Sequence, residues 1–291
     1  MSIPGPQSVE VPVLIVGAGP AGLALSAALS RYGVGHLVVE RHRGTAHTPR
    51  AHIINQRTIE IFRHLGISDR FHAVATPQHL MSNNLWVTTL AGLEIARSET
   101  WGTSAERAAD YRTASPEPMA NCPQTVLEPM LLAAARDRGA DIRFGWEFTG
   151  LAQDQDGVTS VISQRDGDAT LTVRSQYVMG ADGARSRVLG QAGLTAEGPD
   201  DLARAANGPR QDDTRLSAYS RTRLPSIWQT EAFSNWFLHV LLTSLRDGKE
   251  PSAAVPGGFS HGLRHGWIAA LQNDPLFARW FAHAYAGVDH D

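Results

Sequence analysis

The sequence is poor in cysteine, in long basic runs and in low-complexity segments. Cys122 is the only cysteine among 291 residues, which excludes a disulfide within the chain and favours a reduced, cytoplasmic setting. The chain has 26 basic and 29 acidic residues, a net charge of −3 and no long basic block, which argues against nucleic acid as a partner. The length suits one large domain or two modest ones, and a content of 42% hydrophobic residues is typical of globular proteins.

Histidine and cysteine spacing predicts neither a metal site nor a nucleophilic triad. His261 and His265 are four residues apart, but Gly262 stands where a helical zinc motif has glutamate. Cys122, beside Pro123, has no neighbouring charge that would lower its pKa, so we interpret it as inert. We therefore expect no metal, and we assign no catalytic acid, base or nucleophile.

Residues 11–30 carry no charged side chain and are long enough to cross a membrane. A buried parallel strand followed by a buried helix has the same hydropathy, and Gly17, Gly19, Pro20 and Gly22 favour a turn in the middle. A signal peptide has a basic residue before its apolar stretch, and no basic residue precedes this one. We expect no membrane span here.

Residues 13–40 predict a strand, a glycine turn, a helix and a second strand that ends on an acid. Gly17, Gly19 and Gly22 have the spacing G-x-G-x-x-G directly after an apolar run. In this pattern the first glycine permits a tight turn, the second lets a pyrophosphate approach the backbone, and the third lets the helix pack on the strand. Glu40 ends the second strand, where a carboxylate can accept hydrogen bonds from both ribose hydroxyls. The stretch predicts a dinucleotide site.

The remaining pattern predicts an α/β protein with a Rossmann-like domain, a β-meander and a helical C-terminal segment. We expect helices at about 55–65 and 124–138, strand-like residues at 85–95, and meander strands at 148–152, 158–163 and 171–178. Residues 99–123 are expected to be rich in loops.

Four patterns, in this order along the chain, resemble the single-component FAD-dependent aromatic hydroxylases, whose fold is that of p-hydroxybenzoate hydroxylase. They are GAGPAGLALSAALSRYGV followed by Glu40-Arg41, PRAHIINQRTIEIFRHLG at 49–66, QTVLEPML from Gln124, and GADGARSRV at 180–188. Four patterns in family order are far more specific than any one of them. The resemblance implies a Rossmann-like FAD-binding domain with the remnant of a substrate sheet.

The resemblance also implies which residues contact the cofactor. Arg50 would supply a positive charge near the pyrophosphate, Gln124 would touch the ribityl chain, and Asp182 would serve both FAD and NAD(P)H. The ordinary alternatives are a solvated arginine, a glutamine at a helix start and an aspartate in a turn. The full predicted set is Gly17, Gly19, Gly22, Glu40, Arg41, Arg50, Gln124 and Asp182.

The activity that the resemblance implies is a monooxygenase reaction. NAD(P)H would reduce FAD, O₂ would add to give a flavin C4a-hydroperoxide, and a phenolic or other aromatic small molecule would be hydroxylated. The partners would be that substrate and O₂, with a homo-oligomer as an open alternative.

One segment of the family pattern is missing. Nothing between Gly190 and Asp213 resembles the Gly-Asp motif that, in the family, binds the FAD ribose and pyrophosphate. We therefore divide the chain into an FAD-binding domain at 1–198 with an excursion from the substrate lobe at about 76–120, a linker or deletion join at 199–213, and a helical segment at 214–291.

The missing segment leaves a second hypothesis open. The chain could be a catalytically inactive, nucleotide-binding remnant of such an enzyme. A third hypothesis, an NAD(P)-binding dehydrogenase, is disfavoured by the patterns around Gln124 and Asp182.

Overall fold

The computed structural model describes residues 7–87, 90–92, 94–98, 101, 102, 104–183, 185–193, 270 and 273–277. The predicted join at 199–213 lies outside the described residues, as does nearly all of the predicted helical segment at 214–291. Among the described helices, none is both long and apolar enough to cross a membrane.

Strands and helices are interspersed in the first half of the chain. The strands are β1 (Gln7–Val16), β2 (His36–Glu40), β3 (Ile53–Ile54), β4 (Thr76–Pro77), β5 (Asn84–Val87), β6 (Glu94–Ser98), β7 (Ala120–Asn121), β8 (Asp141–Phe144), β9 (Trp146–Asp154), β10 (Gly157–Gln164) and β11 (Thr170–Gly180). The helices are α1 (Pro20–Arg31), α2 (Gln56–His64), α3 (Ser68–Val74), α4 (Ala105–Ala114), α5 (Gln124–Arg136) and α6 (Arg187–Gln191), with a 3₁₀ turn at Gln78–Leu80.

The described chain forms two compact units. The first includes the chain up to Ile54, residues Ile61–Thr76, and the chain from Asn121 to the end of α6. The second includes Asn55–Glu60 and Pro77–Ala120. The predicted domain boundaries themselves stay a prediction.

The first unit is built on one six-stranded sheet, in the order β8-β2-β1-β11-β10-β9. β1 pairs in parallel with both β2 and β11, and β2 pairs in parallel with β8. Leu14 and Ile15 of β1 are both fully buried, because a central parallel strand is covered on both faces. Burying such a side chain contributes roughly 1.5–3 kcal/mol. α1 and α5 pack against each other and belong to the same unit.

The predicted meander is β9, β10 and β11, which pair antiparallel in sequence order. It continues the parallel sheet through the β1–β11 pair, so it is not a separate layer. The core cluster crosses this junction and joins Leu14 and Leu37 of the parallel part to Phe148, Ile162 and Val173 of the meander.

The expectation of a loop-rich stretch at 99–123 is wrong for ten of its residues, since α4 runs from Ala105 to Ala114. None of the α4 residues is buried, so the helix has no apolar stripe that a periodicity search could find. Its start has a local signal instead. The hydroxyl of Ser104 accepts a hydrogen bond from the backbone N–H of Arg107, and Glu106 lies in the first turn.

The meander carries a bidentate ion pair that makes its stability depend on pH. Both terminal nitrogens of Arg174 donate to the Asp154 carboxylate at 2.7 Å. These bonds, with one from the backbone of Asp156, lower the pKa of Asp154 from 3.8 to about 2. Because the folded-state pKa is lowered, the stabilisation is present above about pH 4 and is lost as the pH falls toward 2.

Replacing Arg174 with methionine is therefore expected to return the pKa of Asp154 most of the way to its ordinary value. Carbon-detected NMR titration of the Asp154 carboxyl group measures this directly. Asp166, which pairs with Arg43 and not with Arg174, is the internal reference in the same spectra. An Asp154 midpoint that does not move in the variant would contradict the assigned cause.

Candidate functional site

Three parts of the predicted cofactor set, the glycine turn, Glu40 and Asp182, lie at one edge of the sheet in the first unit. In the sheet register, Val16 at the end of β1 is opposite Val39 of β2 on one side and Gly180 of β11 on the other. The glycine turn, Glu40 and Asp182 therefore all follow the carboxyl ends of neighbouring parallel strands. This edge is where open α/β sheets bind ligands.

The three glycines of the turn have different surroundings. Gly17 has a φ of +107°, and a Cβ there would lie 2.3 Å from the carbonyl oxygen of Ala181. A Cβ at Gly22 would lie 1.9 Å from the carbonyl oxygen of Gly17. A Cβ at Gly19 would have no atom within 4 Å. The first and third glycines are thus required by packing, whereas the second faces open space, which fits the approach of a pyrophosphate to the backbone.

Glu40 ties the glycine turn to the end of β2. Its Oε2 accepts a hydrogen bond from the backbone N–H of Ala18 at 2.8 Å, and its Oε1 accepts one from the N–H of His42 at 2.9 Å. A carboxylate has about four acceptor positions, so each oxygen keeps capacity for a further donor. The side chain is 13% exposed, so this capacity is within reach of a ligand at the edge. Two vicinal ribose hydroxyls match it.

The loop after β2 presents two arginines, Arg41 and Arg50, with exposed side chains. The Nε of Arg41 donates to the ring of His42 at 3.4 Å. Within the described residues the guanidinium of Arg50 has no hydrogen-bond or ion-pair partner, and its carbonyl oxygen accepts from the N–H of Gln124 at 3.3 Å. An anchored backbone with an unpaired guanidinium is compatible with a pyrophosphate contact. That contact stays a prediction.

The backbone next to Arg50 is strained and pinned. Ala51 has a φ of +23°, in the region that favours glycine. The following carbonyl, of His52, accepts from the N–H of Cys122 at 2.6 Å. Strain of this kind persists only where the surroundings impose it, and it is concentrated at ligand sites.

Gln124 is the first residue of α5, as the sequence predicts. Its Nε2 donates to Oε1 of Glu128 at 2.5 Å, one turn further along the helix. The other oxygen of Glu128 accepts from the backbone N–H of Ala46 at 2.6 Å. Glu128 lies within the QTVLEPML motif, but the sequence predicts no role for it, because the contact to Ala46 spans 82 residues and has no local signal.

The carboxylate of Asp182 is largely used within its own turn. Its Oδ1 accepts from the hydroxyl of Ser186 at 2.6 Å, and its Oδ2 accepts from the N–H groups of Arg187 and Val188 at 2.7 and 3.2 Å. These bonds order the start of α6, which is the ordinary role of an aspartate before a helix. A direct contact of Asp182 with a cofactor stays a prediction.

Two other groups add no further site. Cys122 is buried, and burial raises the pKa of its thiol, so the protonated, unreactive form is favoured. In the part of the chain that the structure describes, no three histidine, cysteine or acidic side chains form a group that could hold a metal ion. His261 and His265 lie outside that part.

Comparison with known proteins assigns the chain that carries this site to a family. The FAD binding domain family matches residues 10–210. Curated relatives include 2,4-dichlorophenol 6-monooxygenase of Delftia acidovorans, 46% identical over 190 residues, which cover 65% of this chain and 32% of that protein. Another is tetracenomycin B2 monooxygenase-dioxygenase of Streptomyces olivaceus, 38% identical over 248 residues, covering 78% of this chain and 46% of that protein. The chain thus spans a third to a half of the length of these relatives.

Solved structures agree with this assignment. The flavin-dependent monooxygenase PieE, in complex with FAD and substrate, is 56% identical, with a TM-score of 0.62 over 64% of this chain and 32% of that one. A ternary complex of aklavinone-11 hydroxylase with FAD and aklavinone is 34% identical, with a TM-score of 0.56 over 64% of this chain and 35% of that one. The predicted fold class and FAD as cofactor are confirmed, and the chain belongs to the FAD binding domain family, among the FAD-dependent aromatic hydroxylases that its motifs resemble.

Proposed function

We propose that this chain provides the FAD-binding part of an NAD(P)H-dependent monooxygenase that hydroxylates a phenolic or related aromatic molecule. The observation that carries the proposal is the arrangement at the carboxyl edge of the sheet. There an open glycine, Gly19, lies beside a carboxylate, Glu40, that keeps acceptor capacity after binding the turn.

The protein residues supply binding and orientation, whereas FAD supplies the redox and O₂ chemistry when it is bound. The glycine turn and the start of α1 offer backbone N–H groups and the positive end of a helix dipole to the pyrophosphate. Glu40 accepts the ribose hydroxyls of the adenosine, and Arg50 balances the phosphate charge. Gln124 holds the chain that links the phosphates to the ring.

The aromatic substrate class is supported by the relatives. Two of them are named for 2,4-dichlorophenol and phenol. From these names we carry over only the shared chemistry, a hydroxylated aromatic ring as substrate and O₂ as oxidant. The nicotinamide nucleotide is part of the proposal that follows from the motif resemblance alone.

A concave pocket in the second unit is a candidate for part of the substrate site. Its volume is about 350 Å³, which suits a small aromatic molecule. Two glutamines brace its walls. The Nε2 of Gln56 donates to the carbonyls of Tyr111 and Glu117 at 2.9 and 2.7 Å, and the Nε2 of Gln78 donates to the carbonyl of Trp101 at 2.8 Å. These hydrogen bonds hold the walls of the pocket in place and leave its apolar lining available to a ligand.

The visible absorption spectrum of the purified chain, before and after addition of excess FAD, tests the proposal first. We expect a flavin spectrum that stays with the protein on gel filtration. NAD(P)H oxidation with a panel of phenols then has to yield a hydroxylated product in proportion to the nucleotide consumed. A folded chain that retains no flavin, or that oxidises NAD(P)H without product, would favour the remnant hypothesis.

A further inference from the structure

Glu128 is a buried acid without a cationic partner among the described residues. It is 3% exposed, and its two oxygens accept from two neutral donors, the backbone N–H of Ala46 and the Nε2 of Gln124. Burying a carboxylate is costly even when it is hydrogen-bonded. An acid kept in this position calls for a specific task.

The bond from Ala46 fixes the orientation of this carboxylate from outside the helix. Ala46 lies in the loop between Arg41 and Arg50, 82 residues before Glu128. A backbone N–H in an anchored loop cannot reorient as a side chain can. With Oε2 held by this donor, Oε1 points back along α5 to the residue four positions earlier, which is Gln124.

The fixed carboxylate in turn determines which end of the Gln124 amide faces it. An amide has a donor end and an acceptor end, and a flip of the side chain exchanges them. A carboxylate only accepts, so the Nε2 of Gln124 has to face Glu128. The Oε1 of Gln124 is left as an acceptor, and no described residue donates to it.

We propose that Glu128 is a positioning residue, which aims the carbonyl oxygen of Gln124 at a hydroxyl donor on the ribityl chain of the flavin. The backbone N–H of Ala46 orients the Glu128 carboxylate, and the carboxylate orients the Gln124 amide. The amide then contacts the ligand. The inference rests on the proposed function, because it requires FAD in the site.

A pair of substitutions separates this role from a structural one. In Glu128→Gln, the new amide at position 128 accepts from Ala46 with its oxygen and turns its NH₂ toward Gln124. Gln124 then has to flip, and it presents a donor to the ligand in place of an acceptor. The double variant Gln124→Glu, Glu128→Gln exchanges the two groups. The amide at position 128 still bridges to Ala46, and the carboxylate at position 124 again presents an oxygen to the ligand.

The readouts are the Kd values for FAD and for ADP, together with the melting temperature. ADP lacks the ribityl chain and is the matched control ligand. We expect Glu128→Gln to weaken FAD binding roughly tenfold with little change for ADP, because the hydrogen bond from the ribityl hydroxyl to the carbonyl oxygen of Gln124 is lost. The double variant is expected to recover FAD affinity to within roughly threefold of the wild-type chain.

Three results would overturn the inference. One is a Glu128→Gln variant that binds FAD as the wild type does. Another is an equal loss of FAD and ADP binding, which indicates a general structural role. The third is a double variant that stays as weak as Glu128→Gln. If Glu128→Gln does not fold, the double variant is compared with Gln124→Met, and it has to bind FAD more tightly than that variant.

Failure of the proposed function gives a different pattern. A wild-type chain that binds ADP but not FAD contradicts the proposed function and this inference together. A wild-type chain that binds FAD, with a Glu128→Gln variant of equal affinity, contradicts only the role of Glu128.

Discussion

Replacing Gly17 with valine is expected to abolish FAD binding and to destabilise the first unit. Position 17 has a φ of +107°, and a Cβ there would lie 2.3 Å from the carbonyl oxygen and 2.6 Å from the carbonyl carbon of Ala181. Backbone atoms cannot swing aside as a flexible side chain does, so the turn after β1 and the turn after β11 have to separate. Strain and overpacking together predict a loss of roughly 3 kcal/mol or more in unfolding free energy.

Gly19→Ala separates the loss of FAD binding from the loss of stability. A Cβ at Gly19 meets no protein atom within 4 Å, so we expect an unchanged melting temperature. The same methyl group stands where a pyrophosphate would approach, and the Kd values for FAD and ADP are expected to rise roughly tenfold. Gly190→Ala is the matched control, because position 190 is exposed and also meets no atom within 4 Å.

Titration calorimetry with FAD and ADP, with chemical and thermal denaturation alongside, checks the series. Normal FAD affinity in Gly17→Val would show that the turn after β1 does not form the nucleotide site. A melting temperature that falls in Gly19→Ala would show that position 19 is not open to a ligand.

The second large effect is expected from Glu40→Ala, which should weaken binding of FAD and ADP roughly a hundredfold or more. The substitution removes the acceptor for the N–H groups of Ala18 and His42 and, in the proposed complex, for the two ribose hydroxyls. Hydrogen bonds to a charged group contribute roughly 1.5–3 kcal/mol each, and two of them account for this loss.

Glu40→Gln is expected to weaken the binding of FAD and ADP to a smaller extent than Glu40→Ala does. The amide keeps the size of the side chain but turns an NH₂ group toward either Ala18 N–H or His42 N–H, so one donor loses its acceptor. We expect an affinity between those of the wild type and Glu40→Ala. Glu10→Ala, an exposed acid on β1, is the control and should bind both ligands normally. Unchanged ADP affinity in Glu40→Ala would contradict the ribose assignment.

The parts of the site that the sequence predicts are those set by local chemistry. A glycine turn, the acid that ends β2 and the start of α5 all carry signals within a few residues, and the structure has the glycine turn, Glu40 and Gln124 at the expected ends of their elements. Helix α5 ends at Arg136, close to the predicted 138, because Gly139 with a φ of +86° follows it.

The parts that the sequence does not predict depend on contacts between distant segments. Glu128 receives its role from Ala46, and the strained Ala51 is pinned by neighbours that follow α4 in the chain. Neither contact leaves a periodic or compositional trace. Helix α4 is not predicted for a different reason, since none of its residues is buried and its sequence has no apolar stripe.

The place of β11 in the sheet determines when during synthesis the nucleotide site can be completed. One of the two neighbours of β1 is β2, which follows it directly after α1 and ends at Glu40. The other neighbour, β11, begins only at Thr170, so one edge of β1 stays unpaired until the chain has been synthesised well beyond β2. Contacts of such long sequence separation form slowly. Fragments that stop before Thr170 are therefore expected to aggregate through β1, because they retain the glycine turn but lack the strand that closes one wall of the site.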